Sequence, residues 1–244
     1  MRNVVITAGG TVEKIDKVRT INNSSTGSLG YVIANEFSKQ EDVRVYYIYN
    51  SNIIPTGDNI IAIKINHIDE LEQVVHELFA NEKIDMFIHA MAVSDFKPVG
   101  YIEIEHYKDV LVKTMANKFL TETEVRTIVD TKMKEIVNPL GDKLSSKEDV
   151  AIIMERNKKI IAMIKNLSNE TKLVGFKLLV DVEESVLLKV GYSMLKANDC
   201  DYVVANDLKN IEGNKHRAIV IDKNANYISL KTRYEIAEYL LQLL

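Results

Sequence analysis

"VVITAGG", residues 4–10, decides the architecture. Val4, Val5, Ile6 and Thr7 form a β-branched run that reads as a buried strand, and Ala8-Gly9-Gly10 reads as the turn that ends it. A loop to about residue 25 and a helical pattern over about 26–39 follow. "VRVYYIYN" (43–50), "IIAIKI" (60–65) and "DMFIHAMAV" (85–93) are further strands. "IDELEQVVHELFAN" (68–81) places Ile68, Leu71, Val74, Val75, Leu78 and Phe79 on one helical side. Strands alternating with amphipathic helices predict parallel βαβ units and an α/β sheet covered on both faces.

The rhythm breaks over about 99–148. "YIEIEHY" alternates as a half-exposed strand does, "VLVKTM" looks similar, and Thr- and Lys-rich sequence follows. We read an insertion of extended strands here rather than a packed βα unit. The rhythm resumes with a strand at 149–155, a helix at 157–167, a strand at 172–179, a helix at 182–198 and a strand at 201–206. A closing hairpin turns around Lys223–Asn226, and Thr232 caps a last helix.

The chain has 244 residues, a net charge of −4, three prolines and one cysteine. The negative charge argues against nucleic acid as a partner. No run approaches the roughly 18 apolar residues of a membrane span, and the N-terminus enters a strand directly, without the features of a signal peptide. Cys200 has no partner for an internal disulfide and reads as a small buried thiol. Together these predict a cytoplasmic protein. The histidines at 67, 76, 89, 106 and 216 show no metal-ligand spacing.

In open α/β sheets, ligands sit beyond the carboxyl ends of the strands. The turn after the first strand is neither G-x-G-x-x-G nor a Walker loop. Its adjacent glycines, Gly9 and Gly10, can still bring N–H groups close to a phosphate. Ser25, Thr26 and Gly27 supply a second donor cluster at a helix N-terminus, where the dipole favours anions. An ordinary N-cap is the plainer reading of that cluster. Tyr192 and Lys196 form Y-x-x-x-K, the pair of short-chain dehydrogenases, and an NAD(P)-dependent reductase is the alternative. That family's glycine motif is absent.

"ITAGGTVEKIDKVRTINNSSTGSLG" (6–30) resembles the signature of phosphopantothenoylcysteine synthetases. Thr11, Glu13, Ile15, Asp16, Val18, Arg19, Ile21, Asn23, Gly27 and Gly30 fall in register, with Thr26 at a family serine. "AMAVSDFKP" (90–98), "DKLSS" (142–146), "VGFKLL" (174–179) and "DYVVAND" (201–207) resemble later segments in the right order. Leu178-Leu179 depart from the GFxAE pattern of the bifunctional bacterial forms. With no flavin-binding half preceding the motif, the expected form is free-standing.

The resemblance implies a single α/β domain over 1–244, with a Rossmann-like, mostly parallel sheet and a homodimerisation insertion at about 99–148. It implies a ligase joining 4′-phosphopantothenate to L-cysteine with CTP, or ATP, and Mg²⁺, through an acyl-nucleotide. Asn23, Lys143 and Arg19 would be catalytic: Asn23 donates to an oxyanion, Lys143 faces the triphosphate and Arg19 takes a carboxylate or phosphate. For Arg19, a structural salt bridge with Asp16 is an equal alternative. Gly9, Gly10, Thr11, Ser25, Thr26, Gly27, Ala92, Asp95, Phe96, Phe176 and Asn206 would hold nucleotide or substrate, with Asp95 ending the fourth strand at the cytosine-ribose moiety. Asp207 reads either as a helix N-cap or as a substrate or Mg²⁺ ligand.

Overall fold

The computed structural model describes residues 1–116, 120–141, 143–213 and 215–244. In chain order the elements are β1 (Arg2–Gly9), β2 (Val12–Lys14), β3 (Thr20–Asn22), α1 (Ser28–Ser38), β4 (Val43–Asn50), β5 (Ile60–Lys64) and α2 (Ile68–Asn81). There follow β6 (Met86–His89), β7 (Phe96–Glu103), α3 (Ile104–Met115), α4 (Glu122–Ile136), β8 (Val150–Arg156) and α5 (Ile160–Leu167). The chain closes with β9 (Lys172–Leu179), α6 (Glu184–Ala197), β10 (Tyr202–Glu212), β11 (Lys215–Asp222), β12 (Tyr227–Thr232) and α7 (Arg233–Gln242). These form two compact bodies. The first comprises Met1–Thr11, Asn23–Val93 and Lys159–Leu244; the second comprises Val12–Asn22 and Ser94–Lys158.

The first body holds an eight-stranded sheet in the order β12-β11-β10-β9-β6-β1-β4-β5. The six strands from β10 to β5 run parallel. The β11–β12 hairpin adds two antiparallel strands beside β10. Side chains alternate between two cores. Val5, Tyr46, Phe87 and Val203 join one with Leu71, Val75, Ile164 and Leu195 from the helices. Val4, Ile6, Tyr47, Ile88 and Val220 join the other with Ile33, Phe37, Ile236 and Leu240. Burial on both faces explains why the strands read as continuous apolar runs. A fully buried Ile or Phe contributes about 2–3 kcal/mol, so these two layers are what hold the sheet in place. The chain runs outward from β1 through β4 to β5 and returns to β6 on the other side of β1. The direction of winding therefore reverses between β1 and β6, where an open α/β sheet leaves its ligand crevice.

The second body corrects the reading of 99–148. Tyr101–Glu103 does belong to a strand, β7, paired antiparallel with β8. The rest is helical: "VLVKTM" ends α3, and the Thr- and Lys-rich stretch is α4. Thr121 and Glu124 cap α4 reciprocally, Thr121 Oγ1 accepting from the Glu124 N–H and Glu124 accepting from the Thr121 N–H. This capping box was present in the sequence and outweighs the missing apolar period. β8 pairs with β7 rather than joining the main sheet, so 149–155 does not resume the βα rhythm. The loop expected before residue 25 contains the β2–β3 hairpin. Residues 117–119 of the expected insertion, and Asp142 of "DKLSS", lie outside the described residues.

Candidate functional site

On the first body the site is built at the carboxyl ends of β1 and β6. β1 ends at Gly9 with φ +88°, and a Cβ there would lie 2.0 Å from the Asn50 carbonyl oxygen. Only glycine permits this approach. Asn50 Nδ2 in turn donates to the Gly10 carbonyl at 2.8 Å. Gly10 bridges to Ala92. The Ala92 N–H donates to Gly9 O at 2.8 Å, and the buried Thr11 donates its N–H to Ala92 O at 3.1 Å. Gly9, Gly10, Thr11 and Ala92 are thus stitched into one backbone ledge.

Asn23 runs along that ledge. Its exposed carboxamide donates through Nδ2 to Val93 O at 3.1 Å. Next come Ser25 and Thr26, both exposed. Ser25 Oγ lies 3.4 Å from the Gly27 N–H, and Thr26 Oγ1 lies 3.3 Å from the Ser28 N–H. Gly27 is the N-cap of α1 with φ +73°; the helix start has no side-chain cap and no acidic residue in its first turn. The positive end of the dipole therefore opens beside two hydroxyls, a setting that favours an anion. Gly30 brings α1 against β1: a Cβ there would meet the Ala8 Cβ at 2.6 Å.

Behind the ledge, Thr7 and His89 are paired across β1 and β6. Thr7 Oγ1 lies 3.1 Å from His89 Nδ1 and accepts from the Met91 N–H at 3.1 Å. Burial pulls the imidazole down to about 4, so it is neutral near pH 7. The sequence reading missed this pair.

Phe176 and Asn206 lie on β9 and β10 of the same body. Phe176 is partly buried against the core that includes Val174 and Val204. Asn206 is buried with Nδ2 3.3 Å from His216 Nε2. Burial, with Arg233 adding to it, holds His216 at about 4. Asp207 is not a helix N-cap. It lies within β10, and its carboxylate accepts from the Asp181, Val182 and Lys209 N–H groups at 2.9, 2.9 and 3.0 Å. Those donors, Val182 foremost, hold it below the usual carboxylate range. It fixes the turn after β9.

The second body carries Arg19, Lys143, Asp95 and Phe96. Asp16 Oδ1 accepts from the Val18 and Arg19 N–H groups at 2.8 and 2.7 Å, and Oδ2 accepts from the Leu144 N–H at 3.0 Å and Arg19 Nε at 2.9 Å. These bonds, Leu144 first, hold the carboxyl well below the ordinary range. Arg19 Nη2 donates to Leu144 O at 2.7 Å, so the structural ion pair is present. Lys143, exposed, immediately precedes Leu144. A cavity of about 550 Å³ lies beside this clamp, lined by Lys14, Ile15, Asp16, Lys17, Leu140 and Gly141. Asp95 does not end the fourth strand, because β6 stops at His89 and Asp95 stands just before β7. Its carbonyl accepts from the Asn157 N–H. Asp95 and Phe96 are exposed.

Tyr192 and Lys196 lie on α6 with the ammonium 4.6 Å from the ring centroid, and the ring packs against the core. That is a structural cation–π pair, so the reductase alternative is set aside. Cys200 is buried and its thiol is pushed up to about 12, chiefly by desolvation, as expected for an inert cysteine. Among the described residues, no three acidic, His or Cys side chains converge as a metal site, and no helix is long and apolar enough to cross a membrane. Mg²⁺ commonly binds through substrate phosphates and water with one or two carboxylates. The donor set here fits an ion delivered on a triphosphate.

The sequence pattern of the family described as DNA/pantothenate metabolism flavoprotein C-terminal domain matches residues 1–136 and 128–244, and the chain belongs to this family. It is 26% identical over 241 residues to the coenzyme A biosynthesis bifunctional protein CoaBC of Thermococcus kodakarensis, covering 98% of this chain and 50% of that protein. The chain therefore spans about half the length of this relative. The crystal structure of the DNA/pantothenate metabolism flavoprotein from Streptococcus pneumoniae superposes with a TM-score of 0.80 at 31% identity, covering 100% of this chain and 97% of that one. A Cab2 mutant in complex with phosphopantothenate-cysteine shares the fold, with a TM-score of 0.65 at 15% identity over 99% of this chain and 85% of that one.

Proposed function

We propose that this member of the DNA/pantothenate metabolism flavoprotein C-terminal domain family is a ligase that joins 4′-phosphopantothenate to L-cysteine in coenzyme A synthesis. The observation that carries the proposal is the ledge of Gly9, Gly10, Ala92 and Asn23 at the sheet's reversal point, beside the uncapped start of α1. A carboxylate is a poor electrophile. Its oxygen attacks the α-phosphorus of CTP, or ATP, and pyrophosphate leaves. The cysteine amine then attacks the acyl carbon of the acyl-nucleotide, the C–O bond to the nucleotide breaks, and the nucleoside monophosphate keeps that oxygen.

Fixed donors placed where charge develops are the largest single source of such catalysis. The α1 N-terminus with Ser25, Thr26 and Gly27 suits the phosphates. Asn23 uses one N–H on Val93 and has a second to give to the oxyanion of the acyl-transfer step, without adding charge. On the second body, the support for Lys143 and Arg19 is the resemblance and the Asp16–Leu144 clamp that fixes them. Lys143 suits the triphosphate as a point charge. Arg19 spends Nε and Nη2 within the clamp, and any ligand contact falls to the rest of its guanidinium. Mg²⁺ would neutralise the leaving pyrophosphate. We further assign Asp95 and Phe96 to the nucleoside and Asn206 to substrate, in one cytoplasmic ligase domain acting as a homodimer.

Pyrophosphate release tests the proposal, measured with CTP and separately with ATP, with phosphopantothenate, and with or without cysteine. Release that requires phosphopantothenate supports the ligase and identifies its nucleotide. Absence of release with both nucleotides ends the reading.

A further inference from the structure

Thr7 is fully buried in a strand otherwise built of Val, Ile and Ala. A hydroxyl in such a place must be satisfied, or it costs free energy that a valine of the same shape would not. Here it accepts the Met91 N–H and has its own hydrogen to offer the Nδ1 lone pair of the neutral His89, each at 3.1 Å. Three consecutive residues after β6 are then tied in turn. Met91 is held by Thr7; Ala92 by Gly9 and Thr11; and the Val93 carbonyl receives the Asn23 carboxamide. The bond that orients Asn23 thus ends on a segment whose first anchor is the Thr7–His89 pair.

We propose that Thr7 and His89 are positioning residues that hold the Asn23 carboxamide in its working orientation by fixing the backbone of residues 91–93. The proposal rests on the reading of Asn23 as the acyl-transfer donor. An oxyanion donor acts only where its hydrogen meets the developing charge, and a displacement of about 1 Å can cost roughly a hundredfold in rate. Neither Thr7 nor His89 touches substrate in this scheme.

The test is a double-mutant cycle read on transfer from acyl-nucleotide to cysteine. Thr7→Val and His89→Leu should each slow that step about tenfold to a hundredfold. Thr7→Ser keeps the hydroxyl, and His89→Asn keeps an acceptor near the Nδ1 position, so both should recover most of the rate. In an Asn23→Ala background, Thr7→Val or His89→Leu should change the rate by no more than about twofold, because the group they position is gone. Additive losses in that background, or a Thr7→Val protein as fast as the parent, would overturn the proposal. If Thr7→Val does not fold, His89→Leu decides by the same two outcomes.

A second readout does not depend on the ligase reading. The Asn23 side-chain amide, followed by NMR, should exchange its hydrogens with water faster in Thr7→Val and His89→Leu, and as in the parent in Thr7→Ser. An unchanged amide in the first two variants overturns the positioning role even if the parent shows no ligase activity. A parent without activity but with the predicted change in exchange would fault the function alone.

Discussion

Arg19 donates through Nη2 to the carbonyl of Leu144 at 2.7 Å, while the N–H of the same Leu144 donates to Asp16, the ion-pair partner of Arg19. Residues 125 apart in the chain thereby close on one backbone unit, and Lys143 is the next residue along it. Asp16 is the centre of this clamp. Asp16→Asn replaces a carboxylate that accepts four hydrogen bonds with an amide whose NH₂ must face a donor. We expect a loss of ligase rate of at least about tenfold, from displacement of Arg19 and Lys143. Far-UV circular dichroism should stay close to the parent's. Parent-like activity in Asp16→Asn would show that the clamp does not place a catalytic group.

The close approach of α1 to β1 gives a second prediction. Gly30→Ala forces a methyl into the 2.6 Å separation from the Ala8 Cβ. Overpacking of this kind costs typically 1–3 kcal/mol, so the denaturant midpoint should fall. Because α1 must shift, nucleotide affinity should fall with it. Ala8→Gly in the same chain removes the opposing methyl and should restore much of the affinity, which titration calorimetry would read. If the double variant binds as poorly as Gly30→Ala alone, the close approach is not what sets the helix.

Two imidazoles make stability depend on pH above the carboxylate range. His89 and His216 are lowered to about 4 from 6.5, mainly by burial. Between those values the unfolded chain binds protons that the folded chain does not, so stability rises with pH across the window and is lost as pH falls from about 6.5 towards 4. Each group contributes at most on the order of 3 kcal/mol. Asp207 and Asp222, whose pKa values are lowered by hydrogen bonds, withdraw their share at still lower pH. Urea melts from pH 7 to 4.5 should show the slope, and His89→Asn should flatten part of it. A flat profile in the parent would mean that these imidazoles are not held neutral.

The two activation steps should separate by mutation. Asn23→Asp puts an anion in place of a donor. Loss of one such donor costs on the order of 3 kcal/mol, or roughly a hundredfold in rate. The acyl-nucleotide should still form in this variant and pass slowly to cysteine. Lys143→Gln should instead slow pyrophosphate release even without cysteine. Quenched single-turnover reactions resolved by mass would count the intermediate. Equal loss of both steps in both variants would remove the division of roles.

The parallel sheet was legible because its strands are buried on both faces: "VVITAGG" and "VRVYYIYN" could only be interior. The glycine ledge and the α1 start were legible as a pattern. The reasons for the glycines were not, since Gly9 is required by Asn50 and Gly30 by Ala8, contacts that no local reading supplies. The region 99–148 misled because Ile102 and Ile104 alternate with glutamates as a strand would, yet Ile104 already begins α3. α4 offered little apolar period, and only its capping box marked it. Thr7 and His89 escaped notice because a lone Thr in a β-branched run and a lone His after "FI" carry no spacing; their partnership exists only through the β1–β6 register.

The central claim is that the carboxylate is activated on the α-phosphorus. The fate of its oxygen tests this most directly. With 4′-phosphopantothenate labelled with ¹⁸O in the carboxylate, one turnover with cysteine should leave one labelled oxygen in the nucleoside monophosphate and none in pyrophosphate. Mass spectrometry of both products reads the result. Label in pyrophosphate or inorganic phosphate, or amide formation with unlabelled nucleoside monophosphate, would contradict the account.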